Sequence, residues 1–328
     1  MIFRTEINPP VSDKKIDFND SLLTLGSCFA EEIGRKMALH GFQVSINPLG
    51  TLYNPYSIFH LLEFILKKSS VDQLPLVYHN GLWHSYFHHG KFSSPDKNQL
   101  LIQVEKIHSE VLQQLHEARW IIFTLGSAIV HVEKSKEMIV ANCHQVPSTN
   151  FYRRFLNIDE LNQKFHSFYE LLYQINPSIN ILWTISPVRY AKYDLTRNQI
   201  SKSVLFTWLH HHLIKNPAFY YFPSYEIMID DLRDYRFYKE DLVHPNNMAT
   251  DYIWEKFVAT FISSKDNAIM QEFYDLWKLS LHKILHPETQ QASDLRKKLN
   301  EKARLLKNNY PGHWKYFQNF LGENIANL

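Results

Sequence analysis

Several features that separate broad classes of protein are scarce in this sequence. Only two of its 328 residues are cysteine, Cys28 and Cys143, which excludes a disulfide-stapled scaffold and favours free thiols in a reducing compartment. The formal net charge is only +2, so no overall electrostatic field favours nucleic acid or an anionic membrane as a partner. No apolar run reaches the roughly 20 residues that a membrane-spanning helix needs. We therefore expect neither a nucleic-acid partner nor a membrane partner.

The remaining composition is that of a globular protein. Hydrophobic residues make up 45% of the chain and charged residues 21%. A chain of this size can bury roughly three quarters of the surface that it exposes when unfolded. The first ten residues lack the basic segment and the long apolar segment of a signal peptide. Together with the small number of cysteines, this predicts a cytoplasmic location.

Four short apolar runs are typical of buried strands, and helical patterns lie between them. The runs occupy residues 22–25, 42–46, 120–125 and 181–185. Helix starts are indicated just after Gly26, at Asn54 and at Asp96, and an apolar stripe predicts a further helix over residues 161–175. Because strands and helices alternate, we predict an α/β fold with three layers, in which helices cover both faces of a parallel sheet.

The chain after about residue 265 has a different character. Residues 293–307 are rich in lysine, arginine and glutamate, with apolar residues at helical spacing. We interpret the charged side as a solvated helix face rather than a nucleic-acid patch. The sequence thus predicts a main domain of residues 1–264 and a C-terminal helical appendage of residues 265–328. The appendage would cover the main domain or a second subunit, and the oligomeric state stays open.

Residues 26–30, Gly-Ser-Cys-Phe-Ala, lie where the first predicted strand ends and a helix begins. Ligands bind at such places in open α/β sheets. Backbone N–H groups and the helix dipole would stabilise a thiolate there, so we predict that Cys28 is more acidic than an ordinary cysteine of pKa ~8.5. The same N–H groups could hold the oxyanion of a tetrahedral intermediate. The alternative is that Cys28 is a small buried core residue.

A second segment carries a candidate base. Asp241 precedes His244 by three residues, a spacing at which a turn lets the carboxylate select the imidazole tautomer and support its positive charge. Taken alone, the segment narrowly favours a polar cap before Pro245 over a catalytic pair. A nucleophile at a strand-to-helix turn, combined with such a base, is what acyl transfer needs.

Residues 26–30 resemble the GSCFA family, which is named for this pentapeptide. They also align without gaps with the Gly-Asp-Ser turn of the SGNH (GDSL-type) hydrolases, which places Cys28 at the nucleophile, and residues 241–245 resemble the late Asp-x-x-His-Pro block of that superfamily. Further stretches resemble the GSCFA family at residues 124–126, 142–144, 186–189, 221–226 and 231–238. The resemblance covers roughly residues 20–260. It implies an SGNH-hydrolase-like, flavodoxin-like sheet and the position of a site, but no substrate.

The chain departs from the SGNH pattern at the predicted oxyanion hole. That superfamily uses a glycine after its second strand and an asparagine after its third. Gly50 is the candidate for the glycine, whereas Gly126 and Ser127 follow the third strand with no asparagine at the expected place. Ser127 or Asn142 would replace it, or backbone N–H groups alone would suffice. Loss of one such donor can cost roughly 10²–10³ in rate.

The register of the pentapeptide leaves two candidate nucleophiles. We prefer Cys28 over Ser27, because the ungapped alignment selects it and because a thiolate is the better nucleophile near neutral pH. The predicted function is hydrolysis of acyl esters or thioesters, or O-acyl transfer to a carbohydrate or small molecule, through an acyl-Cys28 intermediate. His244 would take the proton and Asp241 would orient it, with the Cys28 sulfur within about 4 Å of the imidazole. The alternatives are a Ser27-dependent esterase, a catalytically silent ligand-binding module and a cysteine peptidase.

Other suggestive residues support weaker hypotheses. The histidines near residues 84–89 and 144 match no closed zinc site, and three histidines in succession at 210–212 would point in different directions on a helix, so we predict neither a metal nor a cofactor. Arg189 is a candidate for binding an anionic or sugar-bearing substrate. For Arg189, Arg233 and Arg236 alike, the competing expectation is a structural ion pair with Asp230, Asp231 or Asp234.

Overall fold

The computed structural model describes residues 4–190 and 194–322. The strands of this part of the chain are β1 (Ser21–Gly26), β2 (Gln43–Ile46), β3 (Leu76–His79), β4 (Leu82–Ser85), β5 (Trp120–Leu125), β6 (Ile129–Glu133), β7 (Met138–Val140), β8 (Phe151–Phe155), β9 (Asn180–Ile185) and β10 (Phe219–Phe222). The helices are α1 (Cys28–Leu39), α2 (Pro55–Leu66), α3 (Lys97–Glu117), α4 (Ile158–Ile175), α5 (Leu195–Leu213), α6 (Ser224–Glu226), α7 (Asn247–Phe261), α8 (Asn267–Ser280), α9 (Gln290–Asn309) and α10 (Pro311–Phe317).

A parallel sheet of five strands in the order β10-β9-β5-β1-β2 forms the centre of the molecule. Numbered 1–5 along the chain, these strands follow the order 2-1-3-4-5, which is the flavodoxin-like doubly wound order. The predicted α/β fold with a parallel sheet is therefore confirmed. Of its strands, β10 was not among the four predicted apolar runs.

Each face of the sheet supports its own hydrophobic core. Side chains alternate between the faces along a strand, so that Ile121 and Phe123 of β5 enter the core beneath α2, α4 and α5, while Trp120 and Ile122 enter the core beneath α1 and α7. All six residues of β5 are buried, as expected for a parallel strand covered on both sides. No helix in the described residues is long and apolar enough to cross a bilayer.

The helices start where their capping residues predict. Asn54 and Asp96 each accept a hydrogen bond at 2.8 Å from the backbone N–H three residues later. Gly41 ends α1 in the left-handed region with φ of +84°, and the ring of Phe273 occupies the space where a side chain would lie. These residues therefore determine where α1 ends and where α2 and α3 begin.

The C-terminal helices pack on the same face as α1. Phe273 of α8 and Phe317 of α10 belong to one continuous core with Phe18 and Phe42. His313 hydrogen-bonds through Nδ1 to the Gly41 carbonyl at 2.9 Å and stacks on Phe18. Residues 265–322 thus cover this face of the sheet and contact its edge strand β2.

Candidate active site

The nucleophile turn depends on Gly26 at the end of β1. Gly26 has φ of +135°, and a Cβ there would lie 2.1 Å from the carbonyl oxygen of Thr124 on β5. Only glycine therefore allows the strand to turn this close to its neighbour. The backbone N–H of Ser27 donates to the same carbonyl at 3.0 Å, and Cys28 opens α1 immediately afterwards.

A buried asparagine after β2 holds this turn. Asn47 accepts from the Gly26 backbone N–H through Oδ1 at 2.9 Å and donates through Nδ2 to the Ser27 carbonyl at 3.3 Å. It is 1% exposed and has φ of +40°, a conformation that asparagine tolerates better than most residues. Asn47 is not among the predicted site residues, although its place between a strand and Pro48 was a usable signal.

The two candidate nucleophiles differ in exposure. Ser27 is 1% exposed, and its hydroxyl has no hydrogen-bond partner among the described residues, whereas Cys28 is half-buried. Burial raises the pKa of the Cys28 thiol, and Glu31 and Glu32 raise it further, while the backbone N–H groups of Phe29 and Cys28 lower it by less. The prediction of an unusually acidic Cys28 is therefore wrong, because desolvation and two nearby carboxylates outweigh the helix N-terminus.

Asp241 holds the imidazole of His244 in one orientation. Its Oδ2 lies 2.6 Å from Nδ1 of His244, and its Oδ1 accepts from the backbone N–H groups of Val243 at 3.0 Å and His244 at 2.9 Å. These two N–H groups, followed by the imidazole, lower the pKa of Asp241 to about 2. Leu242, at φ of +58°, folds the chain so that all three donors face one carboxylate. With Nδ1 held by Asp241, Nε2 is the nitrogen left for a reacting group.

The loop that carries His244 is attached to the first turns of α1. The backbone N–H of Lys239 donates to the His244 carbonyl at 2.8 Å, and Nζ of Lys239 lies 3.5 Å from Oε1 of Glu32. Glu32 is four residues after Cys28 and shares its side of the helix. In residues 4–190 and 194–322 the imidazole bonds to Asp241, and no hydrogen bond joins it to Cys28. A separation within 4 Å stays a prediction.

The backbone N–H groups predicted to line the oxyanion hole donate to backbone carbonyls of nearby loops. The N–H of Gly50 donates to the Asn47 carbonyl at 2.7 Å, and the N–H groups of Gly126 and Ser127 both donate to the Tyr53 carbonyl at 2.9 Å. The Ser127 hydroxyl accepts from the N–H of Ile129 at 2.9 Å. These groups therefore hold the loops around Cys28 in this structure.

Asn142 lies farther along, in the loop after β7. Its Oδ1 accepts from the backbone N–H of His144 at 2.9 Å, and its Nδ2 lies about 4.0 Å from where a side chain of Gly90 would begin. His89, the residue before Gly90, packs against Gly50, where an added Cβ would lie 2.3 Å from the His89 side chain. The segment before α3 thus connects Asn142 to the loop after β2.

The three arginines divide into two groups. Arg233 pairs with Asp230 at 2.5 Å and Arg236 with Asp234 at 3.5 Å, as expected for structural ion pairs. Arg189, which follows β9, has no carboxylate partner in the described part of the chain. Burial raises the pKa of Tyr238, and the Arg189 guanidinium opposes this rise, so the charge lies near the loop that carries His244.

Like Asn47, a buried lysine of α5 lies at the site but is not among the residues predicted from the sequence. Lys202 of α5 is 0% exposed, and its Nζ donates to the carbonyls of Gly126 at 2.9 Å and Ser186 at 2.7 Å. Burial lowers its pKa to about 7, and the interaction with Cys28 opposes this shift. The sequence indicates this burial only through helical spacing, because Lys202 lies on the same face of α5 as the buried residues Leu205 and Leu209.

The histidines before α3 form a packed cluster. His88 and His108 are joined at 2.9 Å, and His84 stacks on His144. Burial lowers the pKa of His108 and of His144 to about 4, so these rings are neutral at physiological pH. In the residues that the structure describes, no group of three histidine, cysteine or acidic side chains could hold a metal ion.

Comparison with known proteins gives one family and a distant set of structures. The model of the GSCFA family matches residues 21–257. Two similar solved structures are an acetyl esterase mutant with acetate ion and a carbohydrate esterase family 3 protein from Talaromyces cellulolyticus. Each is 10% identical, covers 78% of this chain and 99% of its own, and has a TM-score of 0.33. No curated protein matches the sequence.

Proposed function

Because the chain belongs to the GSCFA family, with Cys28 in the pentapeptide of that name, we propose that it is an acyl-transfer enzyme. It hydrolyses esters or thioesters, or passes their acyl group to an alcohol, through an acyl-Cys28 intermediate. The observation that carries the proposal is the Asp241–His244 pair, on a loop whose Lys239 forms an ion pair with Glu32 of α1, one turn beyond Cys28. This ion pair supports a site near the start of α1 in which Cys28 is the nucleophile, His244 the base and Asp241 the group that orients the base.

The raised pKa of the Cys28 thiol makes a base necessary. Nε2 of His244 takes the thiol proton as Sγ attacks the substrate carbonyl carbon. The new S–C bond gives a tetrahedral oxyanion, which collapses as the bond to the leaving alkoxide or thiolate breaks. The leaving group takes the proton from the imidazolium. Asp241 stays ionised throughout, because its pKa of about 2 lies far below neutral pH.

The second half of the reaction restores the thiol. Water gives a proton to His244 and attacks the thioester, and the S–C bond breaks as Cys28 regains the proton. The product is a carboxylic acid. When an alcohol takes the place of water, the same steps form a new ester, so one site serves both outcomes.

We propose a small-molecule or carbohydrate acyl compound as the substrate. Arg189 supports this class, because its charge lies between the end of β9 and Tyr238 with no carboxylate partner in the described residues. A guanidinium in that place suits an anionic or polyhydroxylated leaving group. Both cysteines are free thiols, which is compatible with the cytoplasmic location that we propose.

The first experiment measures alkylation of Cys28 by iodoacetamide against pH, read by mass spectrometry, in the native protein and in His244→Ala. We expect the His244→Ala protein to label more slowly near neutral pH, because it lacks the base. Equal labelling rates in the two proteins would contradict a Cys28–His244 pair. Cys143→Ser is the control for the other thiol.

A panel of p-nitrophenyl esters and peptides assigns the reaction. We expect ester turnover that Cys28→Ala abolishes and that Ser27→Ala leaves within a few-fold, because the Ser27 hydroxyl is buried away from solvent. Loss of activity in Ser27→Ala alone would make Ser27 the nucleophile. Turnover of peptides but not esters would assign the site to a cysteine peptidase.

A catalytically silent ligand-binding module is the second candidate. It is favoured by the hydrogen bonds of the Gly126 and Ser127 N–H groups to Tyr53, which leave these donors engaged in the structure. In that case no ester in the panel would acylate Cys28, and intact protein mass would stay unchanged after incubation with activated esters.

A further inference from the structure

Lys202 places a positive charge inside the protein beneath the nucleophile turn. Its side chain runs from α5 to the carboxyl ends of β5 and β9, where Nζ donates to Gly126 at 2.9 Å and Ser186 at 2.7 Å. Nζ also lies 5.4 Å from the ring centre of Tyr225, in a cation–π arrangement that favours the charged form. A fully buried lysine is rare in proteins, because removing an ammonium from water is costly unless something compensates for it.

Contacts between neighbours connect this ammonium to Cys28. Gly126, which accepts one of its hydrogen bonds, lies against Ser27, since a Cβ at Gly126 would be 3.4 Å from the Cβ of Ser27. Ser27 directly precedes Cys28. The interaction with Cys28 also raises the pKa of Lys202, against the larger effect of burial.

The other charged groups around Cys28 are of both signs. Glu31 and Glu32 of α1 disfavour a thiolate, and Tyr53 approaches from the loop before α2. Lys239 lies near this end of α1 but is directed at Glu32. Lys91, an exposed residue of the segment before α3, donates to the Asn47 carbonyl at 3.2 Å. Lys202, from α5, is the fully buried cation among these groups and is placed to balance negative charge that develops at Cys28.

We propose that Lys202 is the cationic partner of Cys28, and that its buried ammonium stabilises the negative charge of the thiolate and of the oxyanion that follows. This inference rests on the proposed function and adds the residue that compensates for the missing asparagine. The proton of Cys28 still passes to His244, and the negative charge that forms at Cys28 favours the protonated form of Lys202. Lys202 acts as a positioning and electrostatic residue, because in this structure its Nζ bonds to backbone carbonyls.

The first test replaces Lys202 with methionine, which has a similar length and no charge. We expect iodoacetamide to alkylate Cys28 about tenfold more slowly at neutral pH in Lys202→Met, equivalent to a rise of one pKa unit. Glu31→Gln should change the rate in the opposite direction, because it removes a negative charge. Lys164→Met, on α4 and paired with Glu63, is the matched control and should leave the rate unchanged.

An unchanged alkylation rate in a folded Lys202→Met protein would overturn the proposal. Folding is checked by near-ultraviolet circular dichroism. The readout is independent of the proposed function, since it needs no substrate. If Cys28→Ala kept full ester turnover, the proposed function would be wrong. The interaction between Lys202 and Cys28 would still be tested by the alkylation rates alone.

A second test keeps Lys202 in place and changes the charge on Cys28. In a Cys143→Ser background, iodoacetamide gives Cys28 a neutral adduct, and iodoacetate gives it a negative adduct of nearly the same size. Carbon-13 labelling of the lysine ε-carbons, with Lys202→Met to assign the signal, reports the pKa of Lys202 by NMR. We expect a higher pKa in the carboxymethyl adduct than in the carbamidomethyl adduct, by linkage between the two sites. Identical values in the two adducts would overturn the proposal.

Discussion

At the scale of single residues, Asp241 holds Nδ1 of His244 and leaves Nε2 outside their hydrogen bond. Its carboxylate accepts one hydrogen bond from the imidazole and two from backbone N–H groups. The spacing of the two residues was enough to predict their pairing, because a three-residue turn brings the side chains together. The acidity of Cys28 could not be predicted in this way. It depends on burial and on where Glu31 and Glu32 lie in the folded chain.

We expect Asp241→Asn to lower kcat for ester hydrolysis at least about 10²-fold, because an amide nitrogen cannot accept the Nδ1–H and the wrong tautomer is favoured. The folded pKa of Asp241 is depressed from 3.8 to about 2. Its contribution to the order of the loop is therefore present above pH 3.8 and is lost as the pH falls through about 2. An inflection of the kcat profile near pH 4–5 would thus not come from Asp241.

Stopped-flow assays of ester hydrolysis across pH measure kcat in the native protein and in Asp241→Asn. Asp234→Asn, on the same segment, is the control. A kcat in Asp241→Asn equal to that of the native protein would contradict the role of Asp241 in orienting His244.

At the scale of elements, close approach between strands decides the shape of the site. Three of the four strands predicted from apolar runs, β1, β5 and β9, are those that the sheet buries on both faces, and their composition identifies them. The fourth, β2, is a half-exposed edge strand. The two small antiparallel sheets, β3-β4 and β6-β7-β8, were missed because their strands have three to five residues and are partly exposed. Lys202 was missed for a related reason, since only the packing of α5 on the sheet shows that its amine reaches β5 and β9.

We expect Gly26→Ala to be strongly destabilising and inactive, because its Cβ would lie 2.1 Å from the Thr124 carbonyl oxygen. Gly81→Ala is the control that measures backbone strain without a steric clash. Gly81 has φ of +78°, but nothing lies within 4 Å of the added Cβ, so only the strain of about 1–2 kcal/mol applies. The measurement is the free energy of unfolding in denaturant. Similar losses in the two variants would show that conformation rather than contact with β5 requires Gly26.

At the scale of the whole molecule, the C-terminal helices complete the core that supports α1. Phe273 is 0% exposed and packs on Phe18 of the N-terminal segment and against Gly41 at the end of α1. The change in composition near residue 265 predicted a helical appendage, but its docking surface could not be predicted. That surface is assembled from residues that are far apart along the chain.

Because this core is continuous, we expect Phe273→Ala to destabilise the entire chain rather than the appendage alone. Removal of a fully buried phenylalanine should cost about 3–5 kcal/mol in the free energy of unfolding. One cooperative transition should move to lower denaturant concentration, followed in parallel by tryptophan fluorescence and by the exposure of Cys28 to alkylation. Ile102→Ala, at a residue 65% exposed on α3, is the control for a large apolar residue outside the cores. The contrary result would be a fluorescence transition at lower denaturant concentration, with the midpoint for exposure of Cys28 to alkylation unchanged. Residues 265–328 would then be an independent folding unit, and α1 would not depend on them.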